Sequence, residues 1–218
     1  AYGMTPVDYK RLGSLLFNHR GDAILDYTYN AEMFATSMTR SGTRYILPVY
    51  FHDGGGCASY LGKRDRDMNE ADFEQCLRWQ KAAHQRNLHK LEAIYLFDEP
   101  ELDDHTFTLA QQEAAVRASK RVFPGVPTYI ANFKNGTPSP VGLDYRGIQL
   151  YSKDEVKKDE LRNVLEKNRR ALRDPNTKLM PIFATNGGSY MERSLTNYPE
   201  MFDPSTHGGI MWYVYDGL

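Results

Sequence analysis

The sequence is poor in the features that mark specialised classes of protein. Its 218 residues include 2 cysteines, Cys57 and Cys76, at no metal-binding spacing, and this number does not define the redox compartment. With 27 basic and 28 acidic side chains, the formal net charge is −1, so nucleic acid is a poor candidate partner. No apolar run approaches the ~18 residues of a membrane span, and no signal peptide is visible.

Motifs for phosphate-bearing cofactors and metals are also missing. The glycine run 54–56 is too loose for a phosphate-binding fingerprint. The 6 histidines form no ligand spacing of the HExxH kind. We therefore expect no cofactor and no metal.

The composition is that of an ordinary globular domain with a substantial core. Hydrophobic residues make up 41% of the chain and charged residues 25%. A chain of this length is long enough for one large domain. We expect residues 1–218 to form a single domain.

Apolar strand candidates alternate with helix candidates along the chain. The predicted strands are residues 23–29, 45–52, 91–98, 127–133, 146–151, 178–185 and 209–215. The predicted helices are residues 5–16, 31–40, 69–89, 109–122 and 154–173. This alternation indicates an α/β protein with a parallel sheet. Seven units in one domain favour a TIM-like (β/α) barrel, incomplete or irregular at its N-terminus, over an open doubly wound sheet.

Polar residues follow the C-terminal end of every predicted strand. They are Tyr29-Asn30, His52-Asp53, Asp98-Glu99, Asn132, Tyr151-Ser152-Lys153, Thr185-Asn186 and Tyr215-Asp216. The active sites of (β/α) barrels are built at this rim. The sequence therefore predicts a functional site formed by several strand ends.

Two adjacent carboxylates, Asp98 and Glu99, end an apolar strand and are followed by Pro100. A buried charge costs several kcal/mol unless it is paired or protonated. The cost is lower when one of two neighbouring acids stays protonated as a general acid and only the other stays ionised. The pair is therefore a catalytic candidate, and a solvated acidic turn is the alternative explanation.

Four segments of the chain carry a resemblance to a known family. They are residues 9–20 (YKRLGSLLFNHR), 42–47 (GTRYIL), 93–100 (AIYLFDEP) and 208–215 (GGIMWYVY). In this order they resemble the catalytic barrel of family 123 glycoside hydrolases and the related domains once grouped as DUF4091. The β-sandwich domains that usually flank that barrel have no counterpart in this sequence. The resemblance implies a β-N-acetylgalactosaminidase, or more broadly a β-N-acetylhexosaminidase, and a glycan or glycoconjugate substrate.

The resemblance also implies substrate-assisted retaining catalysis. In that scheme the 2-acetamido group of the substrate attacks the anomeric carbon and forms an oxazolinium intermediate. Glu99 would protonate the leaving oxygen and then activate water. Asp98 would stay charged, orient the acetamide N–H and stabilise the positive charge that develops on it. By analogy with the family we expect a secreted or periplasmic protein, and the sequence leaves the oligomeric state open.

Further residues are candidates for substrate binding: Tyr151, Asn132, Trp212, Tyr215, Asp216, His52 and Asp53. Tyr151 would hydrogen-bond the acetamide carbonyl, Asn132 would bind a sugar hydroxyl or hold Asp98, and Trp212 would form an apolar floor under the sugar. The others would contact hydroxyls or line the cleft. Each also has an ordinary structural explanation as a core, capping or turn residue.

Two other functions stay open at this stage. The first is a conventional retaining glycosidase, in which Glu99 is the acid and Asp53 or Asp216 on another strand is the nucleophile. The second is a carbohydrate-binding barrel without catalysis, in which Asp98 and Glu99 only accept hydrogen bonds. Activity on sugars that lack an acetamido group distinguishes the first of these, and absence of turnover distinguishes the second.

Overall fold

The computed structural model describes residues 15–17, 44–49, 51, 61–102, 107–132, 134–150, 158–185 and 211–214. The strands in this part of the chain are β1 (Leu15–Phe17), β2 (Arg44–Pro48), β3 (Leu91–Asp98), β4 (Thr128–Asn132), β5 (Tyr145–Leu150), β6 (Lys178–Thr185) and β7 (Met211–Val214). The helices are α1 (Glu70–Ala83), α2 (Leu109–Val122) and α3 (Lys158–Arg170), with 3-10 helices at Asp65–Asp67 and Gln85–Lys90. None of the helices described is long and apolar enough to cross a membrane.

The seven strands form one sheet in chain order, and every neighbouring pair is parallel. Helices connect β3 to β4 and β5 to β6, as crossover connections between parallel strands require. Parallel strands in sequential order, alternating with helices, are the arrangement of a partial (β/α) barrel. The fold class predicted from the sequence is therefore confirmed.

Two apolar clusters cover the two faces of the sheet. The inner cluster consists of Ile46, Ala93, Tyr95, Tyr129, Ala131, Met180 and Ile182, which all belong to strands. The outer core combines strand residues such as Ile94 and Ile130 with apolar side chains of α1 and α2. The inner cluster therefore marks the interior of the barrel, and the outer core joins the sheet to its helices.

The helix starts follow from their capping residues. Asn69 accepts hydrogen bonds from the backbone of Ala71 and Asp72, and Asp72 in turn accepts from the Asn69 N–H. Thr108 and Gln111 form the same reciprocal capping box at α2. Each box satisfies backbone donors that the first helical turn otherwise leaves unpaired.

The elements agree with the sequence prediction except near the N-terminus, at helix ends and in the predicted strand 45–52, where β2 ends at Pro48 and positions 49 and 51 are not in a strand. The predicted helix 5–16 is wrong at its C-terminal end, because Leu15–Phe17 forms β1 and pairs with β2. These three apolar residues follow Gly13 and Ser14, and pairing with β2 overrides their helical propensity. The predicted helix 69–89 ends at Ala83 and continues as a 3-10 helix. The predicted strand 23–29 and helix 31–40 lie outside the described residues.

A disulfide ties one helix into the fold. Cys76 is buried on α1 and is disulfide-bonded. The sequence contains one other cysteine, Cys57, which lies outside the described residues. The number of cysteines alone did not predict this bond. Two cysteines form a disulfide only if the fold brings them close together, and the sequence does not show that distance.

Candidate active site

The acid pair lies at the C-terminal end of β3, and a β-bulge just before it sets its orientation. Tyr95 pairs with Tyr129 of β4, and Phe97 pairs with Ile130. From Tyr95 to Phe97 the strand β3 advances by two residues while β4 advances by one, so Leu96 is the extra residue of the bulge. A bulge of this kind redirects the side chains that follow it.

This extra residue turns Asp98 toward the interior of the barrel. Leu96 and Phe97 both pack into the outer core, whereas Tyr95 belongs to the inner cluster. The hydroxyl of Tyr95 donates a hydrogen bond of 2.5 Å to Asp98 Oδ1. In a regular strand two residues three positions apart would face opposite sides of the sheet. The bulge is what allows this contact.

Glu99 breaks the alternation of the strand at the next position. Its φ angle is 49°, in the left-handed region, while its N–H still donates to the Ala131 carbonyl at 2.9 Å. Its own carbonyl accepts from the Leu102 N–H at 3.0 Å, which closes a turn with Pro100 at the second position. A left-handed residue with a side chain costs ~1–2 kcal/mol. The chain thus leaves the extended conformation at Glu99, one residue before Pro100, and strand alternation does not extend to Glu99.

A group of phenylalanine rings fixes the end of β3 from the outer side. The ring of Phe97 lies 4.6 Å from that of Phe107, 5.2 Å from Phe51 and 6.0 Å from Phe73, measured between centroids. All four side chains are buried. Rigid apolar support of this kind keeps neighbouring functional groups in place.

The inner side of the site combines two large tyrosines with two small residues. The rings of Tyr95 and Tyr129 are 4.7 Å apart. Next to Asp98 in the sheet register stand Ala131 of β4 and then Gly147 of β5. A Cβ on Gly147 would lie 2.8 Å from Tyr129 Cζ, so only glycine leaves room for that ring. Gly147 therefore allows the ring of Tyr129 to pack close to β5 on the inner face of the sheet.

Asn132 is held by the turn that follows the acid pair. Its Nδ2 donates to Glu101 Oε2 at 3.2 Å, and the Lys134 N–H donates to Glu101 Oε1 at 2.8 Å. The fully buried guanidinium of Arg146 donates to the carbonyl and hydroxyl of Thr137. Burial lowers the pKa of Arg146 to about 10, and the charge of Glu101 opposes that shift. Asn132 thus contacts Glu101, and its binding to a sugar or to Asp98 stays a prediction.

The structure brings only part of the predicted site together. Tyr151, Tyr215, Asp216, His52 and Asp53 lie outside the described residues. Trp212 lies in β7, in register with Phe183 of β6, and only its place in the strand is described. Within the described ranges, no three metal-ligating side chains converge. The roles of these residues therefore remain predictions.

Three residues near the acid pair were not singled out from the sequence. Tyr95 could not be found, because the contact with Asp98 depends on a bulge that no sequence pattern marks. Glu101 belongs to the acidic stretch itself, and its position after Pro100 was a weak signal of a structural turn. Gln149 lies on β5 two residues before Tyr151, and only this place near the end of a strand could have indicated it as a site residue.

No protein-family model matches the chain. No curated protein matches it either. Solved structures match over most of the chain. A GH1 β-glucosidase from Exiguobacterium antarcticum B7 superposes with a TM-score of 0.62 at 10% identity, over 96% of this chain and 76% of that one.

Two further matches are a chitinase and an endoglycosidase. A GH18 chitinase from Pseudoalteromonas aurantia gives a TM-score of 0.54 at 14% identity, over 91% of this chain and 76% of that one. An endo-β-N-acetylglucosaminidase from Cordyceps militaris gives 0.55 at 13% identity, over 96% and 74%. At these identities the likeness establishes a shared (β/α)-barrel fold and no more.

Proposed function

We propose that the chain is a glycoside hydrolase that cleaves β-linked N-acetylhexosamine, with N-acetylgalactosamine as the favoured sugar. The observation that carries the proposal is the acid pair at the rim of the barrel, with Asp98 turned inward and held by Tyr95. The resemblance of the AIYLFDEP segment to family 123 glycoside hydrolases supports the same assignment. The named activities of the chitinase and endoglycosidase neighbours also agree with an amino-sugar substrate.

The proposed reaction has two steps that use the substrate's own acetamido group. In the first, the acetamido carbonyl oxygen bonds to the anomeric carbon while the bond to the leaving oxygen breaks, and Glu99 gives its proton to that oxygen. In the second, Glu99 takes a proton from water as the water oxygen bonds to the anomeric carbon. The bond between the anomeric carbon and the acetamido oxygen breaks in the same step, so the oxazolinium ring opens and the acetamido group is restored. The configuration at the anomeric carbon is retained.

Asp98 supports the acetamido group in both steps. Its charge stabilises the positive charge that develops on the oxazolinium, and its oxygen orients the acetamide N–H. The hydrogen bond from Tyr95 holds the carboxylate in one orientation, so less reorganisation is required during the reaction. Adjacent acids suit this chemistry because they act on neighbouring atoms of one sugar, whereas a conventional retaining pair is about 5–5.5 Å apart across the bond.

A panel of four aryl β-glycosides tests the proposal: the N-acetylgalactosaminide, the N-acetylglucosaminide, the galactoside and the glucoside. We expect cleavage of the acetamido sugars alone, with the galacto compound preferred. Cleavage of the plain sugars would instead support a conventional nucleophile on another strand. Binding of glycans without turnover of any substrate would support a non-catalytic barrel.

Substitution of the two acids tests their separate roles. Glu99→Gln is expected to lower kcat on substrates with poor leaving groups by roughly 10²–10⁴-fold and to spare activated aryl glycosides in part. Asp98→Asn is expected to lower kcat on both by roughly 10²–10³-fold, because charge stabilisation is needed whatever the leaving group. Glu166→Gln, on the exposed surface of α3, is the matched control. Equal and mild effects of the two site substitutions would contradict these roles.

A further inference from the structure

Gln149 has an amide oxygen that is buried without a hydrogen-bond partner. The side chain is 8% exposed, and its Oε1 accepts no hydrogen bond. An unsatisfied buried polar atom costs about 1–3 kcal/mol. Such costs are found at functional sites, where a ligand supplies the missing partner.

The position of Gln149 on β5 directs it to the interior of the barrel. Alternation along the strand puts it on the same face as Tyr145 and Gly147. Tyr145 packs against the inner cluster, and Gly147 adjoins Tyr129 and Ile182 of that cluster. The unpartnered oxygens of Gln112 and Ser119, by contrast, belong to α2 on the outer side of the sheet.

Gln149 also lies at a suitable distance from the acid pair. Asp98, Ala131 and Gly147 stand side by side on three adjacent strands, and Gln149 is one inward-facing position closer to the rim. Strand spacing and rise put its Cα about 12 Å from that of Asp98. Ala131 and Gly147 separate the two positions in the sheet, and the ring of Tyr129 lies against Gly147 on the same inner face.

We propose that Gln149 binds the sugar whose glycosidic bond is cleaved, with its Oε1 accepting a hydrogen bond from a ring hydroxyl. This inference rests on the proposed function, because it takes the ligand to be a sugar next to Asp98 and Glu99. A hydroxyl donor satisfies the buried amide oxygen, and a sugar that lacks this hydroxyl leaves it unsatisfied. Gln149 thereby contributes to the choice of sugar.

Gln149→Met tests the inference, since methionine keeps the size of the side chain and removes the amide. Gln112→Met is the matched control, because Gln112 is also a buried glutamine with an unpartnered Oε1 but lies on α2. Each protein is assayed on aryl β-N-acetylgalactosaminide and β-N-acetylglucosaminide. Thermal unfolding is measured with and without free N-acetylgalactosamine.

We expect Gln149→Met to raise KM about 3–10-fold, because loss of one neutral hydrogen bond weakens binding by about this factor. The change in kcat should be smaller. The free variant should unfold at the wild-type temperature or above it, and the stabilisation by N-acetylgalactosamine should fall. Gln112→Met should leave KM and this stabilisation unchanged. Gln149→Leu should behave as Gln149→Met does and serves as the second variant if the methionine variant does not fold.

Two results would overturn the inference while the proposed function stands. One is an unchanged KM in an active Gln149→Met variant. The other is a lower unfolding temperature of both Gln149 variants than of the wild-type protein, which would assign the amide a structural role. Absence of cleavage and of sugar binding in the wild-type protein would instead overturn the proposed function, and the inference with it.

Discussion

The contact between Tyr95 and Asp98 is the closest link between local structure and proposed chemistry in this chain. A tyrosine three residues before a carboxylate meets it only because Leu96 is inserted between them as a bulge. The hydroxyl then holds one carboxylate oxygen, and the ring packs on Tyr129 inside the barrel. One inserted residue therefore allows a buried strand tyrosine to hold the carboxylate of Asp98.

Tyr95→Phe separates the hydrogen bond from the packing, because the ring is retained. A hydrogen bond to a charged group contributes about 1.5–3 kcal/mol, so we expect kcat/KM for aryl N-acetylhexosaminides to fall roughly 10–100-fold. The free energy of unfolding should fall by no more than these ~1.5–3 kcal/mol, since the packing of the two tilted rings remains. Steady-state kinetics and a thermal melt of the purified variant measure both effects.

The control for this change is Tyr145→Phe, which removes a tyrosine hydroxyl at the opposite end of the interior, where β5 begins. Its activity should equal that of the wild type. If both variants lost activity equally, the effect would belong to the barrel interior in general and not to the contact with Asp98.

At the scale of the elements, regular segments could be predicted from the sequence and local irregularities could not. The bounds of β3, α2 and β6 agree with the apolar patterns and capping residues that predict them. The bulge in β3 leaves no signature, because an extra leucine in an apolar strand keeps the pattern apolar. For the same reason the sequence predicts the acid pair only as a candidate site, and it does not predict the inward turn of Asp98.

The end of α1 is a second local irregularity that the sequence pattern did not predict. The sequence pattern continues to residue 89, but the α-helix ends at Ala83 and His84 caps it. The imidazole of His84 is 4% exposed, and burial lowers its pKa from 6.5 to about 4. A residue expected on a charged helix is thus a buried neutral group.

This burial predicts a loss of stability in acid. Between pH 6.5 and 4 the unfolded chain protonates His84 and the folded chain does not, so protons favour unfolding. The stabilisation is complete above pH 6.5 and falls by about 1.4 kcal/mol per pH unit down to pH 4, about 3 kcal/mol in all. His84→Gln should flatten this dependence, measured by denaturant unfolding at several pH values.

His89→Gln is the control for the loss of an imidazole, because His89 has an exposed side chain in the adjoining 3-10 helix. In that variant the free energy of unfolding should fall with decreasing pH as steeply as it does in the wild-type protein. Equal flattening in both variants would show that His84 is not the group responsible.

For the whole molecule, the order of strands and helices determines the shape more than the identity of residues does. Barrels from glycosidases with 10–14% identity superpose on most of this chain. That agreement explains why the fold class could be predicted from alternation alone. The substrate could not be predicted in this way, because substrate choice depends on a few side chains at the rim. Several of these side chains lie outside the described residues.

The disulfide at Cys76 adds a constraint on the whole chain that no apolar pattern predicts. Disulfides persist in oxidising compartments, and the secreted or periplasmic location expected by analogy stays a prediction. Closure of a loop of ~20 residues contributes about 3 kcal/mol, or roughly 6–12 °C in Tm at this chain length. We therefore expect a reductant to lower the Tm by this amount in a thermal melt.

Substitution of the cysteines distinguishes loss of the bond from other effects of the reductant. Cys76→Ser and Cys57→Ser should each melt at the lower temperature without reductant and should show no further response to it. Thiol titration of the denatured wild-type protein should find no free thiol before reduction. A wild-type Tm that stays unchanged after both thiols have been released would contradict a stabilising role for the bond, and the fold would then depend on the outer core and the capped helices alone.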